Sequence, residues 1–328
     1  MNTVAICIPT YNQSTYLAES VRSACAQTHP VEVWLSDDAS TDSTSTVIAD
    51  LEREFAHLRA FRQERNLGMS GNPRWIVSRP RTNYIVKLDS DDRLHTDYVT
   101  RLVALLQEHP NAGYGHCAVR QIDGRGTVTR ERRLLRPSGY EMPDDALRAA
   151  VRGYRVAANI CIFRREAMEQ VDFYRADMNF CDDWDLSVRL ADAGWGNVYC
   201  DALLADYRVW DAGNVRARRK LAEIEGCARV FDHSLLPAFA RRGWGTVPLR
   251  ERRKHLALAH AMVLDAPAFS PDDRKEMVQA LQHLGDSPRL RRRVRLMQRG
   301  FGPWFRMRSR AQVAAKDAAK RLLRRSAK

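Results

Sequence analysis

The sequence holds no apolar run near the roughly 20 residues needed to cross a bilayer. It also lacks a charged-then-apolar leader, because the first apolar stretch, Val4-Ala5-Ile6-Cys7-Ile8, stops at Pro9. A cytoplasmic protein is the expectation. Paired cysteines are missing as well: Cys7, Cys25, Cys117, Cys161, Cys181, Cys200 and Cys227 are scattered, odd in number and never spaced C-x-x-C. That pattern fits neither a disulfide framework nor a structural zinc site, and it suits a reducing compartment. There is no internal repeat. Net charge is absent from the first 285 residues, which carry 38 basic and 38 acidic side chains. The whole excess of +13 sits in residues 286–328, where fifteen Lys or Arg face only Asp286 and Asp317. The pI near 9.7 therefore describes a tail and not the body.

What is present is enough for one large core and a smaller satellite: 328 residues, 45% of them hydrophobic. Strand-like and helix-like segments alternate through the first hundred residues. Strands are expected at 4–8, 31–35, 58–61 and 84–88, with helices at 15–26, 44–55, 73–77 and 98–108. This rhythm implies an α/β fold, a mostly parallel sheet flanked by helices. Short strands follow at 112–134, then a helix at 144–152, a strand at 157–163, a helix at 182–193 and an extended segment at 198–209. Beyond about 212 every segment has helical spacing, with breaks at Pro237, Gly243-Trp244-Gly245, Pro267 and Gly285. The expected divisions are 1–211 (a nucleotide-binding half, 1–110, and an acceptor half, 111–211), a helical extension at 212–285 and a basic tail at 286–328.

The most informative stretch is Tyr84-Ile85-Val86-Lys87-Leu88-Asp89-Ser90-Asp91-Asp92, a buried-strand pattern that ends in three carboxylates. In open α/β sheets ligands bind at the C-terminal ends of the strands. Carboxylates packed this closely repel one another unless a cation sits among them or all face water. The plain alternative is a solvated loop before a helix that begins at Asp97. Other polar loops follow the first and second strands: Pro9-Thr10-Tyr11-Asn12 and Asp37-Asp38-Ala39-Ser40-Thr41-Asp42. Parallel strands bring both to the edge that carries Asp89–Asp92. Helix capping accounts for one residue of the second loop but not for the whole loop. Asn66-Leu67-Gly68-Met69-Ser70-Gly71-Asn72 adds a polar turn before the next helix, whose free N–H groups could face an anion.

These pieces resemble a family 2 glycosyltransferase with the nucleotide-sugar-binding fold called GT-A. The matching segments are ICIPTYN (6–12), SDDASTD (36–42), RNLGMSGN (65–72), KLDSDD (87–92), NICIFRREAM (159–168) and CDDWDLSVRLADAG (181–194), in the family's order. Together they span about residues 3–210. The resemblance implies a nucleoside-diphosphate sugar as donor. It implies that Asp38, with Asp37, contacts the base, and that Pro9, Thr10, Tyr11 and Asn12 line the pocket with Asn66, Gly68 and Ser90. Asp89 and Asp91 form the D-x-D motif, with Asp91 as the direct ligand of Mg²⁺ or Mn²⁺, Asp89 as a second ligand or ribose contact, and Asp92 as support. Asp183 matches the family's catalytic base; Asp182 stands where the usual residue is Glu, and Trp184 follows as support. Dipole compensation at a helix start explains the same acids at about 0.3–1 kcal/mol. A single displacement from the face opposite the leaving group would invert the anomeric centre.

Two departures from the family matter. A His that often follows the Tyr-Arg pair is replaced: Tyr207-Arg208-Val209 leads to Trp210, whose indole can stack but cannot coordinate a metal. A Gln-x-x-Arg-Trp motif is missing, as are membrane spans, which points to one sugar per cycle and not to processive synthesis. In the tail, Leu290, Val294, Met297 and Phe301 keep helical spacing among arginines, and Ala311, Ala315, Ala318 and Leu322 repeat the layout. A basic amphipathic helix suits an anionic membrane surface, and so a peripheral position at the cytoplasmic membrane face. A saccharide or lipid-linked acceptor follows from the resemblance, and nucleic acid is the disfavoured partner. Two other classes stay open: a sugar nucleotidyltransferase, whose G-x-G-x-x-x-R signature is missing, and a non-catalytic nucleotide- or nucleic-acid-binding protein, which needs no Asp183.

Overall fold

The structure is a computed structural model that describes residues 3–178, 180–209, 219–264, 266, 269–305 and 307. The chain divides into two compact units, residues 1–211 with 232–244, and residues 212–231 with 245–328. The sequence drew its boundary at 211; the structure groups 232–244 with the first unit as well.

The first unit is built on β1 (Val4–Thr10), a seven-residue strand buried on both faces. Val4, Ile6 and Ile8 enter one core while Ala5 and Cys7 enter another, as a two-residue period demands. Beside β1 run β2 (Glu32–Asp37), β3 (Leu58–Arg62) and β4 (Tyr84–Lys87), all parallel. Their crossovers are the helices α1 (Leu17–Cys25), α2 (Thr44–Glu54) and α3 (Gly68–Val77). After β4 the chain makes a two-residue strand β5 (Arg93–Leu94), the helix α4 (Tyr98–Glu108) and then β6 (Ala112–Ile122), β7 (Val128–Arg132) and β8 (Gly139–Glu141). Next come α5 (Pro143–Ala150), β9 (Cys161–Arg164), α6 (Arg165–Gln170), α7 (Asp182–Asp192) and β10 (Gly196–Arg208).

The sheet order is β3-β2-β1-β4-β9-β6-β10-β5, with β7 on β6 and β8 on β10. Strand β9 is antiparallel to both neighbours, so the sheet is parallel through its first four strands and mixed beyond them. Strand order reverses at β1, whose neighbours are β2 and β4. That is the point where an open α/β sheet forms a crevice. Leu17, Leu51 and Leu102 from α1, α2 and α4 cover one face, and Ile76, Met168 and Leu186 from α3, α6 and α7 the other. Replacing a wholly buried residue such as Ile6 by Ala would cost about 2–5 kcal/mol. Expected strands and helices are present with shifted ends; the short β5 and β8 went unexpected because two or three residues carry no periodicity.

The helical segment that follows β10 in the described chain begins with α8 (Lys220–Val230), continues through a π-helical turn (Phe231–Leu235) and becomes α9 (Leu236–Arg241). Arg242, after α9, pairs with Asp144 at 2.7 Å and Asp192 at 2.6 Å, and Ser234 donates to Asp185. These bonds tie 232–244 to α5 and α7 within the first unit. In the second unit α10 (Val247–His260) packs on α11 (Pro271–Gly285) and α12 (Pro288–Gln298). At Gly285 a side chain would meet the Arg253 backbone at 2.5 Å, so only glycine permits this approach. Helix α11 starts on a Ser270–Asp273 capping box.

The tail's first apolar stripe is placed differently from expectation. Leu290, Val294 and Met297 are buried within the second unit, and Arg293 donates to the Leu258 carbonyl. That stripe packs α12 onto its own unit and is not free for a membrane. Phe301, Trp304 and Met307 remain about half exposed. Ala311, Ala315, Ala318 and Leu322, like Trp210, lie outside the described residues. No helix among the described residues is long and apolar enough to cross a membrane.

Candidate active site

The C-terminal rim of β1, β2, β3 and β4 carries four polar loops, stiffened by their own side chains. Asn12, at φ 50°, accepts from the Thr41 N–H at 2.8 Å and donates its own N–H to the Ser40 hydroxyl at 2.9 Å. Asp42 accepts from the Ser14 hydroxyl and from the Thr44 N–H, and these bonds hold its carboxyl down at about 2. The first two loops are thus laced together. Thr10 is buried and its hydroxyl has no partner among the described residues, while Tyr11 is 48% exposed beside it. Pro9 is partly buried at the end of the same strand.

Asp37 and Asp38 are both buried, yet they do different work. Asp37 accepts from the Ser40 N–H at 3.0 Å and pairs with Arg62 at 2.6 Å, so it braces its own loop. Asp38 accepts from Leu67 N–H at 2.7 Å and Gly68 N–H at 3.0 Å. The free N–H groups at the start of α3 therefore do face an anion, and that anion is Asp38. Gly68 sits at φ 82°, which turns the chain into α3 without strain. Burial pushes the Asp38 carboxyl up against these two backbone bonds. Asn66 is exposed and donates to the Asp38 carbonyl at 3.2 Å.

The acidic turn after β4 is clamped from several sides. Ser90 and Asp92 are buried, Asp89 and Asp91 partly exposed. Arg208 donates its backbone N–H to Asp92 Oδ1 at 2.8 Å and its Nε to the Asp91 carbonyl at 2.8 Å, and it pairs with Glu19 at 2.8 Å. Ser20 on α1 donates to the Asp92 carbonyl at 2.5 Å. Asp92 Oδ2 is buried without a hydrogen-bond partner among the described residues, and burial with Asp91 and Asp89 nearby drives its carboxyl far above the usual range.

Across from that turn stands α7, whose N-terminal carboxylates meet it through a lysine. Cys181, at φ 62°, turns the chain so that Asp182 and Asp183 begin the helix. Lys87, the last residue of β4, is only 5% exposed. Its Nζ donates to Asp89 Oδ1 at 3.1 Å and to Asp183 Oδ2 at 3.5 Å. Tyr174 donates its hydroxyl to Asp183 Oδ1 at 3.0 Å, and Asn159 donates to Asp89 Oδ2 at 2.5 Å. Burial alone would lower the Lys87 ammonium, but Asp183, Asp89 and Asp182 outweigh it and hold it well above its ordinary value. Asp183 is pushed up by burial against the pull of Lys87; Asp182 rises to about 7 through burial and the charge of Asp183. Trp184 is buried and donates its indole N–H to the Ala150 carbonyl at 3.0 Å, which fastens α7 to α5.

The sequence picked out Asp89, Asp183 and their neighbours, and the structure brings both carboxylates to one ammonium. It missed Lys87, Tyr174, Asn159 and Arg208. Lys87 had a signal, a lone cation in an otherwise apolar buried strand; Tyr174 had none, since its partner depends on how a loop folds back. The donor set fits a hard divalent cation in a limited way. Carboxylate oxygens on one turn, including the orphaned Asp92 oxygen, are the ligands such an ion takes. No group of three or more His, Cys, Asp or Glu among the described residues could hold a metal by itself. Ligands from elsewhere, such as phosphate oxygens and water, would have to complete it.

The chain is 27% identical over 192 residues to a chondroitin synthase of Escherichia coli, a match covering 58% of this chain and 27% of that protein. It spans about half the length, or less, of the curated relatives matched here. Among solved structures, S. aureus TarS 1–349 superposes with a TM-score of 0.62 at 15% identity, covering 86% of this chain and 80% of that one. Its complex with UDP-GlcNAc gives 0.56 at 15%, covering 91% and 92%. The mannosyltransferase PcManGT of Pyrobaculum calidifontis, solved with GDP-Man and Mn²⁺, gives 0.56 at 18%, covering 90% and 79%. At such identities these structures establish the fold, which is the GT-A fold expected from the motifs. The model for "Glycosyl transferase family 2" matches residues 5–171, just over half of the sequence, and on that span the chain belongs to this family.

Proposed function

We propose that this protein is an inverting glycosyltransferase that moves one sugar from a nucleoside-diphosphate sugar to a hydroxyl of a saccharide or lipid-linked acceptor. The observation that carries this is the pair of carboxylates on one buried ammonium: Asp89 at 3.1 Å and Asp183 at 3.5 Å from Lys87. A donor-side turn and an acceptor-side helix thereby share one small space. Further support comes from the UDP-GlcNAc and GDP-Man bound by the structural neighbours.

In this reading the base stacks near Tyr11 and reaches Asp38 through the lone pairs left by Leu67 and Gly68, while Thr10, Asn12, Asn66 and Ser90 line the pocket. Asp37 acts through Arg62 as a brace. Asp91, with Asp89, would hold Mg²⁺ or Mn²⁺, and such an ion when bound offsets the negative charge growing on the leaving diphosphate. Arg208 and Ser20 keep the acidic turn in shape for it. The acceptor hydroxyl attacks the anomeric carbon from the side opposite the diphosphate while its proton passes to Asp183. The bond from carbon to diphosphate oxygen breaks as the new glycosidic bond forms, so configuration inverts. A base in this role is worth about 10²–10⁴ in rate. Burial that raises the Asp183 carboxyl brings its basicity nearer to working pH.

A thermal-shift panel of UDP-, GDP-, dTDP- and CDP-sugars, with and without Mn²⁺, tests the reading. At least one sugar nucleotide should raise the melting temperature, more so with the ion; a ligand at 100 times its Kd adds about 2.7 kcal/mol. A folded sample indifferent to all of them contradicts it. Peripheral membrane binding rests on Phe301, Trp304 and Met307 with the arginines around them. Trp304→Ala should weaken binding to vesicles rich in phosphatidylserine and leave donor binding unchanged; equal vesicle binding would dismiss this surface.

A further inference from the structure

Lys87 ends β4 in a row that crosses the sheet: it pairs in register with Cys7 on one side and Cys161 on the other. Its side chain is only 6% exposed, and it is the only cation within ion-pair distance of Asp183 among the described residues. Among the described residues, every other titratable group facing Asp183 is an acid or a neutral donor. Asp89 approaches from the acidic turn, Asp182 from the same helix, and Tyr174 from the segment before α7. Cys161 and Tyr154 face it from β9 and its approach; burial pushes the thiol up to about 12 and the phenol well above its ordinary value, so both stay uncharged near neutrality. Without Lys87 the donor-side turn and the start of α7 would lose the one group that joins Asp89 Oδ1 to Asp183 Oδ2.

The two oxygens of Asp183 are held separately. Tyr174 fixes Oδ1, and Tyr174 is itself held: Arg74 of α3 donates to its carbonyl at 2.6 Å, and Arg189 of α7 donates to the Phe173 carbonyl at 2.7 Å. Asp172 and Phe173 adopt φ 56° and 55°, left-handed values that non-glycine residues avoid, so these arginines hold a strained bend. Among the described residues Oδ2 has only Lys87, at the longer distance of 3.5 Å, while Lys87 stays closer to Asp89.

We propose that Lys87 is the positioning residue of the reaction: anchored on Asp89, its ammonium fixes Asp183 through Oδ2 and ties the alignment of the base to the donor-side turn. This rests on the reading of Asp183 as the base, given above. Lys87 touches no reacting atom. It orients the carboxylate and keeps it charged as the acceptor enters, and the proton then moves from the acceptor hydroxyl to Asp183.

The test uses the 328-residue chain with the nucleotide sugar giving the largest thermal shift in the panel, following release of the nucleoside diphosphate. Lys87→Met should lower kcat by about 10²-fold or more, with a smaller change in donor KM, and should move the acid limb of the pH–rate profile to higher pH. Lys87→Arg should return the limb toward its original position, because the charge is restored even if the geometry is imperfect. Should Lys87→Met fail to fold, Lys87→Gln supplies the second arm: it keeps a polar side chain without the charge and should likewise move the limb to higher pH. An unmoved limb in a folded Lys87→Met or a folded Lys87→Gln overturns the proposal. Asp183→Asn separates the two levels. Full turnover in Asp183→Asn removes the base itself, whereas a dead Asp183→Asn beside a normal Lys87→Met removes only the role given to the lysine.

Discussion

Two acids in the first unit are built in opposite ways: Asp206 is buried and Asp183 is partly buried. Asp206 on β10 is ringed by Arg120 at 2.7 Å, Arg93 at 2.9 Å and the His95 ring at 3.0 Å. Burial would raise it, but His95 and Arg120 outweigh that and hold the carboxyl far below its usual range. Asp183 has one cation, shared with Asp89, and burial wins. Asp206 is saturated and locks β5, β6 and β10 together. Asp183 is left underpaired, and an acid kept short of counter-charge can take a proton from something else. The difference separates a carboxylate that holds the fold from one that does chemistry.

That contrast can be broken first at its structural end. Asp206→Ala leaves two partly exposed arginines without their acid and should cost about 1–3 kcal/mol in urea unfolding, with nucleotide-sugar affinity unchanged in the folded fraction. A loss under about 1 kcal/mol would mean the cluster is a bystander. The pH dependence sharpens the comparison next, because the two acids have opposite signs. The depressed Asp206 gives stability that is present above the unfolded carboxylate pKa and lost as pH falls through its folded value. Raised Asp182 works the other way: its contribution is full below the unfolded value and is lost as pH rises toward about 7. Asp182→Asn should therefore lose less stability than the parent between pH 4 and 7, a slope belonging jointly to Asp182 and Asp183. An unchanged slope would say the pair is not desolvated as described. The smallest effect is a control far from both acids: Ser270→Ala removes the α11 cap and should cost about 1 kcal/mol, with neither the pH slope nor donor binding altered.

How much of this was legible in the sequence follows from the range of the interactions. Strand ends and their acids were readable because β1, β2 and β4 each carry a local apolar run with its polar loop attached. Asp89 and Asp183 were separately visible; that they meet at Lys87 was not, because they are 94 positions apart in the chain and only the sheet order brings α7 beside β4. The stripe Leu290-Val294-Met297 teaches the converse. Its helical spacing was read correctly as amphipathic, but periodicity does not say which surface an apolar face meets, and here that surface is the unit's own α10. Asp38 shows a third limit: a carboxylate in a polar loop can serve a ligand or its own backbone, and Leu67 and Gly68 lay nearly thirty residues away in the chain.

The most direct measurement is a paired one on Asp183→Asn: donor affinity by calorimetry, and transfer or donor hydrolysis under saturating nucleotide sugar and Mn²⁺. Donor binding within about threefold of the parent with turnover reduced by about 10²–10⁴ is the predicted result. Turnover that survives the substitution, with the donor still bound, would mean that the proton leaves by another route and that the acids around Lys87 are not the reaction centre.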